Sequence, residues 1–245
     1  MKTLILIPSR LSATRLPGKP LLKINGLSII SHVFKKAVEA NIGDVYVAAE
    51  DQEIIDDVKQ NGGQAIMTSK NNKTGTDRIY EALNKIGKSD IELVMNLQGD
   101  EPLMNVMDIK KLYNQMVITK SMMGTLASNI SNANVYKDQN IVKVATKENL
   151  DIAKFPDALN FFRDSKNIKK NVYHHLGIYS YQLETLKKFV SLSQSQNEIK
   201  NKLEQLRALD NNIKINVSLA KEGPIGIDTE KDFIAIKKIM EYKSK

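Results

Sequence analysis

The sequence predicts an α/β fold, a mostly parallel sheet flanked by helices. Short runs rich in Val, Ile, Leu and Ala alternate with stretches whose apolar residues recur at helical spacing, from Thr3 to Leu97. Glycine and proline stand where one pattern gives way to the other. Repeated strand-helix-strand alternation places parallel strands side by side, with helices covering both faces.

The first strand is Thr3 to Ile7, five residues between a charge and a proline, with the uninterrupted apolar character of a strand buried on both faces. A long polar loop follows. From Ser28 to Ala40, apolar residues at Ile29, Ile30, Val33, Phe34, Ala37 and Val38 form one helical stripe. Asp44 to Ala49 reads as a strand, Gln52 to Asn61 as a helix, and Gln64 to Met67 as another strand, with Gly62-Gly63 as the helix stop. A helix from Thr76 to Ile86, capped by Thr76, leads into the strand Glu92 to Leu97. After a helix from Val106 to Thr119 the pattern loosens into short β-like runs at Met122 to Asn129 and Ile141 to Thr146. The polar, lysine-rich segment Ser165 to Asn171 reads as a mobile turn. A helix from Glu198 to Ala208, a strand from Lys214 to Ala220 and a helix from Glu230 to Glu241 complete the chain. The expected organisation is one domain over 1–245 with a smaller mixed α+β subdomain inserted at about 121–190.

With 245 residues and 42% hydrophobic composition, the chain has enough apolar material for a sizeable core. Its net charge of +8 favours an acidic partner, but most lysines are mixed with acids on helical stretches, as on a solvated face. The lysines are scattered and no basic motif interleaved with aromatics occurs, which argues against a nucleic-acid partner. The chain has no cysteine, so disulfides, thiolate metal sites and cysteine nucleophiles are excluded. The opening apolar run is too short for a signal peptide, and no apolar stretch approaches a membrane span; a cytosolic protein is expected.

The segment Pro8 to Pro20 follows the first strand, where an open α/β sheet binds its ligand. It carries Arg10, Arg15 and Lys19 among Pro17, Gly18 and Pro20, a stiffened loop whose cations suit triphosphate oxygens and a leaving pyrophosphate. It matches neither the P-loop pattern nor the dinucleotide fingerprint. Charge spacing alone leaves an ordinary solvated loop as the alternative. Two acids occupy comparable positions: Asp100 follows the strand ending at Leu97, and Asp228 precedes the last helix. Each alone reads as a turn or cap residue. Together with the cationic loop they form a phosphoryl-transfer site in which two carboxylates hold Mg²⁺ and phosphate oxygens complete its shell.

The ordered segments PSRLSATRLPGKPL, TGTDR (Thr74 to Arg78), LQGDEP (Leu97 to Pro102), HLGIYSY (His175 to Tyr181), LEQLR (Leu203 to Arg207) and GIDT closely resemble the 3-deoxy-manno-octulosonate cytidylyltransferases, the CMP-Kdo synthetases. The resemblance runs from Leu4 to Ile239. It implies a Rossmann-like nucleotidyltransferase fold, a homodimer, Mg²⁺ as cofactor, and CTP and an acidic 3-deoxy-ulosonic sugar as substrates in lipopolysaccharide synthesis. The family's triphosphate loop falls on Arg10, Arg15 and Lys19, and its metal acids on Asp100 and Asp228. Its substrate pocket falls on Thr74, Gly75, Arg78, Gln98, Arg163, His175, Tyr179, Glu204 and Gln205. Without the resemblance, His175 reads as a core or surface histidine, and Glu204 and Gln205 as a solvated helix face.

The chain departs from the family at Asn72 and Thr74, in the stretch after Phe162-Arg163, and at Asn201. These departures lie on the sugar side or in the dimer subdomain, so Kdo and an amino-substituted Kdo both remain as acceptors. The rival readings are a cytidylyltransferase for a sialic or legionaminic acid and a non-catalytic CTP-binding module.

Overall fold

The computed structural model describes residues 1–12, 15–130, 135–136, 138–164, 170–223 and 226–243. Residues 165–169 of the expected mobile turn lie outside the described residues. Strand β1 (Thr3–Ser9) leads through the cationic loop into a short hairpin, β2 (Lys23–Ile24) and β3 (Leu27–Ser28). Helix α1 (Ile29–Glu39) follows, capped by Ser28, whose hydroxyl accepts from Ser31 N–H. Then come β4 (Asp44–Ala49), α2 (Gln52–Gln60), β5 (Ala65–Met67), α3 (Gly75–Ile86), β6 (Leu93–Asn96) and α4 (Val106–Thr119). The remaining strands are β7 (Met123–Ser128), β8 (Lys143–Thr146), β9 (Ala158–Phe162), β10 (Val172–Gln182) and β11 (Ile215–Leu219). Helices α5 (Leu183–Ser191), α6 (Gln196–Asn201) and α7 (Leu206–Asp210) lie between β10 and β11, and α8 (Glu230–Lys243) ends the chain.

The chain divides into two compact units. One comprises 2–91, 95–107 and 224–245; the other comprises Met1, 92–94 and 108–223. In the first, β1 pairs in parallel with β4, and β4 with β5. Leu97 N–H donates to Leu6 C=O at 3.1 Å, bringing the end of β6 beside β1. The apolar residues Leu4, Ile5, Leu6 and Ile7 are fully buried, as expected of a strand covered on both faces. In the second unit β7 pairs in parallel with β11 and antiparallel with β10. Strand β8 joins β10 and β9 by antiparallel ladders. Among the described residues, no helix is long and apolar enough to cross a membrane.

The structure corrects two local expectations. The cap of α3 is Thr74 rather than Thr76, because a capping box forms: Asp77 N–H donates to Thr74 Oγ1 and Thr74 N–H to Asp77 Oδ2, both at 3.1 Å. The single helix expected from Glu198 to Ala208 is broken. Lys202 adopts a left-handed conformation (φ 53°) that ends α6, and α7 starts only at Leu206. The break allows Arg207 to grip the Glu198 carboxylate twice, with Nε at 2.8 Å and Nη2 at 2.6 Å. In a continuous helix nine residues rise about 13.5 Å, which forbids that pairing.

Candidate active site

A cavity of about 420 Å³ opens in the first unit, within the range of small-molecule sites. Its wall includes Arg10, Arg15, Lys19, Asp100 and Asp228, so the structure brings together the cations and acids that the sequence separates. The loop is held by its own backbone. Gly18 takes φ 68°, and its N–H reaches back to Leu11 C=O at 3.4 Å, while Leu21 N–H closes a turn on Gly18 C=O at 2.9 Å. Leu11 N–H also donates to Asp51 Oδ2 at 2.7 Å, anchoring the loop at the start of α2. Asp51 was no part of the sequence-based site; its fit to Leu11 becomes visible only in three dimensions.

Lys19 lies at the centre of the charged group. Its Nζ is 2.6 Å from Asp100 Oδ2 and 3.7 Å from Asp228 Oδ1, and Arg15 Nη2 is 3.2 Å from the same Asp228 oxygen. Arg10 is exposed and makes no ion pair among the described residues. The two acid-bearing segments are tied directly, Ile227 N–H donating to Asp100 C=O at 3.0 Å. Glu101, in the same LQGDEP motif but given no role by the sequence, turns inward. Burial, and then the charges of Asp100 and Asp228, push its carboxyl up to about 8, and its Oε2 has no hydrogen-bond partner.

The oxygen donors of Asp100 and Asp228 already converge on one ammonium. A pair of hard carboxylates around a single positive charge suits Mg²⁺. Among the described residues no cluster of three or more His, Cys, Asp or Glu side chains gathers at metal-binding distance. A metal here would therefore have to complete its shell with phosphate oxygens and water.

Thr74, Gly75, Arg78 and Gln98 also line this cavity, as does Asn72. Arg78 is only 3% exposed. Its guanidinium is ion-paired with Glu50 and donates to Thr68 Oγ1 at 2.7 Å and Ser69 C=O at 3.3 Å. Glu50, missed in the sequence, thus fixes the arginine from the end of β4. The Asn72 amide donates to Ser69 C=O at 2.9 Å and to Glu81 Oε2 at 2.6 Å, so this departure from the family pattern ties the loop to α3. The Thr74 departure supplies the helix cap.

Arg163, His175, Tyr179, Glu204 and Gln205 belong to the second unit. His175 is 8% exposed, edge-on to Phe161, with its ring centroid 5.4 Å from that of Tyr179. Thr125 Oγ1 donates to Ile178 C=O at 2.7 Å, leaving its lone pairs to accept from His175 Nε2 at 3.0 Å. Burial, and secondarily the neighbouring His174, push His175 down to about 3, so it is neutral near pH 7. Burial, with Tyr181 and Glu204 adding to it, raises Tyr179 well above its ordinary value. Gln205 is buried and Glu204 partly so, which replaces the solvated helix face with an inward-turned corner between α6 and α7. Arg163 instead donates to the carbonyls of Gln139 (3.3 Å) and Asn140 (2.9 Å). Asn201 bonds within its own helix, to Asn197 C=O at 2.9 Å.

A cytidylyltransferase family model matches residues 4–215. The 3-deoxy-manno-octulosonate cytidylyltransferase of Afipia carboxidovorans is 39% identical over 243 residues, covering 97% of this chain and 96% of that protein. The protein of the same name from Thermodesulfovibrio yellowstonii is 39% identical over 255 aligned residues, with 100% of both chains covered. A solved structure of CMP:2-keto-3-deoxy-manno-octonic acid synthetase complexed with CTP matches with a TM-score of 0.89 and 32% identity, over 99% of this chain and 100% of that one. A UDP-glucose pyrophosphorylase, with a TM-score of 0.73 but 12% identity, shares the mostly parallel, helix-flanked sheet and indicates the fold alone. The conserved architecture and full-length identity agree with the cation and carboxylate arrangement, and the chain belongs to the 3-deoxy-manno-octulosonate cytidylyltransferase family of nucleotidyltransferases.

Proposed function

We propose that this enzyme transfers CMP from CTP to the anomeric hydroxyl of Kdo or a modified Kdo, releasing pyrophosphate, and that the product serves lipopolysaccharide assembly. The observation that carries the proposal is the convergence of Lys19, Asp100 and Asp228, joined by Arg15, in one cavity. The anomeric oxygen attacks the α-phosphorus, its proton passes to solvent water, and the bond to the bridging oxygen breaks with the electron pair leaving on pyrophosphate. Arg10, Arg15 and Lys19 hold the β- and γ-phosphates and stabilise the charge that develops on the leaving group. Asp100 and Asp228 hold Mg²⁺, which when bound supplies charge neutralisation at the phosphate oxygens. A cytoplasmic homodimer completes the proposal, supported by the motif resemblance.

The test is pyrophosphate release at saturating Mg²⁺ with Kdo, amino-Kdo and a nine-carbon acidic sugar as separate acceptors. Kdo or amino-Kdo is expected to give the highest kcat/KM, and Asp100→Ala to lower kcat by about 100-fold or more. Faster turnover of the nine-carbon acid would overturn the acceptor assignment. Unchanged turnover in Asp100→Ala would overturn the metal site.

A further inference from the structure

Glu50 and Asp51 stand side by side just after β4, and each braces a different segment of the cavity wall. Asp51 holds the cationic loop through Leu11 N–H, and Glu50 is ion-paired with Arg78 of α3, which lines the cavity itself. The ion pairs around this space differ in what they allow. The side chains of Arg15 and Asp228 are 60% and 47% exposed, and a pair so placed contributes little and can trade partners with an arriving anion. Those of Arg78 and Glu50 are 4% and 9% exposed. Drawing that guanidinium away from its carboxylate leaves a charge unmatched in the interior, a far costlier step.

Arg78 is also held on a second side. Its Nη1 donates to Thr68 Oγ1 at 2.7 Å and to Ser69 C=O at 3.3 Å. Both acceptors are fixed in turn: Thr68 N–H donates to Ala49 C=O at 2.8 Å, and Ser69 N–H to the two oxygens of Glu81 at 3.0 and 2.9 Å. Of the five N–H groups that a guanidinium carries, one goes to Glu50 and two to Thr68 and Ser69, which leaves Nε–H and one on Nη2. Burial of an ion pair is not distinctive in itself, since Arg207 and Glu198 form one that lines no part of this cavity. Arg78 differs in standing in the wall with donors unspent and its charge already cancelled.

We propose that Glu50 is a positioning residue: it neutralises Arg78 and locks the guanidinium so that the two remaining N–H groups donate to an uncharged oxygen of a bound substrate, and not to a phosphate or carboxylate. The proposal rests on the cytidylyltransferase reading. It divides the cavity into exposed charges that exchange partners and a locked neutral pair that selects by direction.

The experiment is calorimetric titration with CTP and Mg²⁺, together with KM for Kdo, on wild type and two variants. Glu50→Gln uncovers the arginine charge without removing a donor. Its Kd for CTP is expected to fall about fivefold or more at low ionic strength, the gain shrinking as salt is added. Loss of structural support cannot tighten binding, and an unfolded fraction appears in the stoichiometry rather than in Kd. An unchanged or higher Kd in folded Glu50→Gln overturns the proposal. The double variant Glu50→Gln/Arg78→Gln leaves no buried charge unmatched and carries the test where the single variant does not fold. Only uncharged hydrogen bonds are lost in it, so Kd for CTP or KM for Kdo should rise about 3- to 10-fold. The parameter that rises names the substrate that meets the donors. No rise in either shows that Arg78 touches neither substrate, and a rise beyond about tenfold shows that it acts as a charged ligand; both results overturn the proposal. Failure of the wild type to bind CTP at all overturns the function reading instead.

Discussion

Replacing Lys19 by Met retains the aliphatic stem and deletes the ammonium that binds Asp100 and Asp228. The lysine side chain is 14% exposed, Asp100 29% and Asp228 47%. Asp228 keeps Arg15 as a second cation at 3.2 Å, and its exposure screens what Lys19 adds there. The stability change therefore lies mainly in the 2.6 Å contact with Asp100. Hydrogen bonds to charged groups contribute about 1.5–3 kcal/mol when buried, and partial exposure brings this one to about 1 kcal/mol. For a chain of this size that lowers Tm by about 2–4 °C. Removal of a preorganised charge at the leaving pyrophosphate acts on a larger scale, about 100- to 1000-fold in kcat. Lys19→Met should thus remain folded and lose nearly all turnover. Thermal unfolding and pyrophosphate release at saturating CTP, sugar and Mg²⁺ measure the two effects separately. A kcat within about tenfold of wild type, or an activity loss that simply follows the unfolded fraction, would refute the placement of Lys19 at the leaving group.

Breaking the buried Arg78 and Glu50 pair from one side should destabilise strongly, since either partner is then left charged and unmatched: about 3–5 kcal/mol for Glu50→Gln or Arg78→Met in urea unfolding. The double variant should recover part of that loss, and strict additivity of the two singles would contradict the pairing. Glu101 gives a pH signature. Its folded value near 8 lies above the ordinary 4.5, so between those values the folded state retains a proton that the unfolded chain releases. Its contribution to stability is complete below about pH 4.5 and is lost as pH rises through 8. Glu101→Gln, which cannot ionise, should show a smaller decline in Tm than wild type between pH 5 and 8; parallel profiles would show that the carboxyl is already ionised at neutral pH.

The elements read correctly from the sequence are those in which burial follows a simple period. Strands β1, β4 and β6 are dense apolar runs, and α1 carries a clear stripe. Strand β10 obscures itself. Its eleven residues include His174, His175, Ser180 and three tyrosines, and its register shifts between Leu176 and Tyr179, so neither alternation nor an apolar run marks it. Lys143 is fully buried in β8 because its ammonium ends on the carbonyls of Asp138 and Arg163, a satisfaction that composition does not announce. The site shows the same division. Charges after strand ends were legible as candidates for one charged site, and they do line one cavity, whereas their mutual pairing, the anchoring of Leu11 by Asp51 and the tie between Glu50 and Arg78 depend on residues far apart in the chain.

That mutual pairing is a matter of backbone placement. Three remote segments supply it: the loop through Lys19, the turn after β6 and the approach to α8. Each also places an apolar residue in one cluster. Leu16, Leu103 and Ile227 pack with Ile24 and Ile29 against Phe233, Ile236 and Met240 of α8. The hydrogen bond from Ile227 N–H to Asp100 C=O adds a direct backbone tie between the two segments that carry the acids. The backbone that carries the charges is thus fixed by burial, while the side chains neutralise one another across the cavity. On the proposed reading, a metal-bound triphosphate would be met by an exchange of partners, cations turning to phosphate and carboxylates to metal, with little rearrangement of the main chain. Electrostatic stabilisation of a leaving group is strongest when the dipoles and charges are already in place, and the apolar cluster beneath the site is what keeps them there.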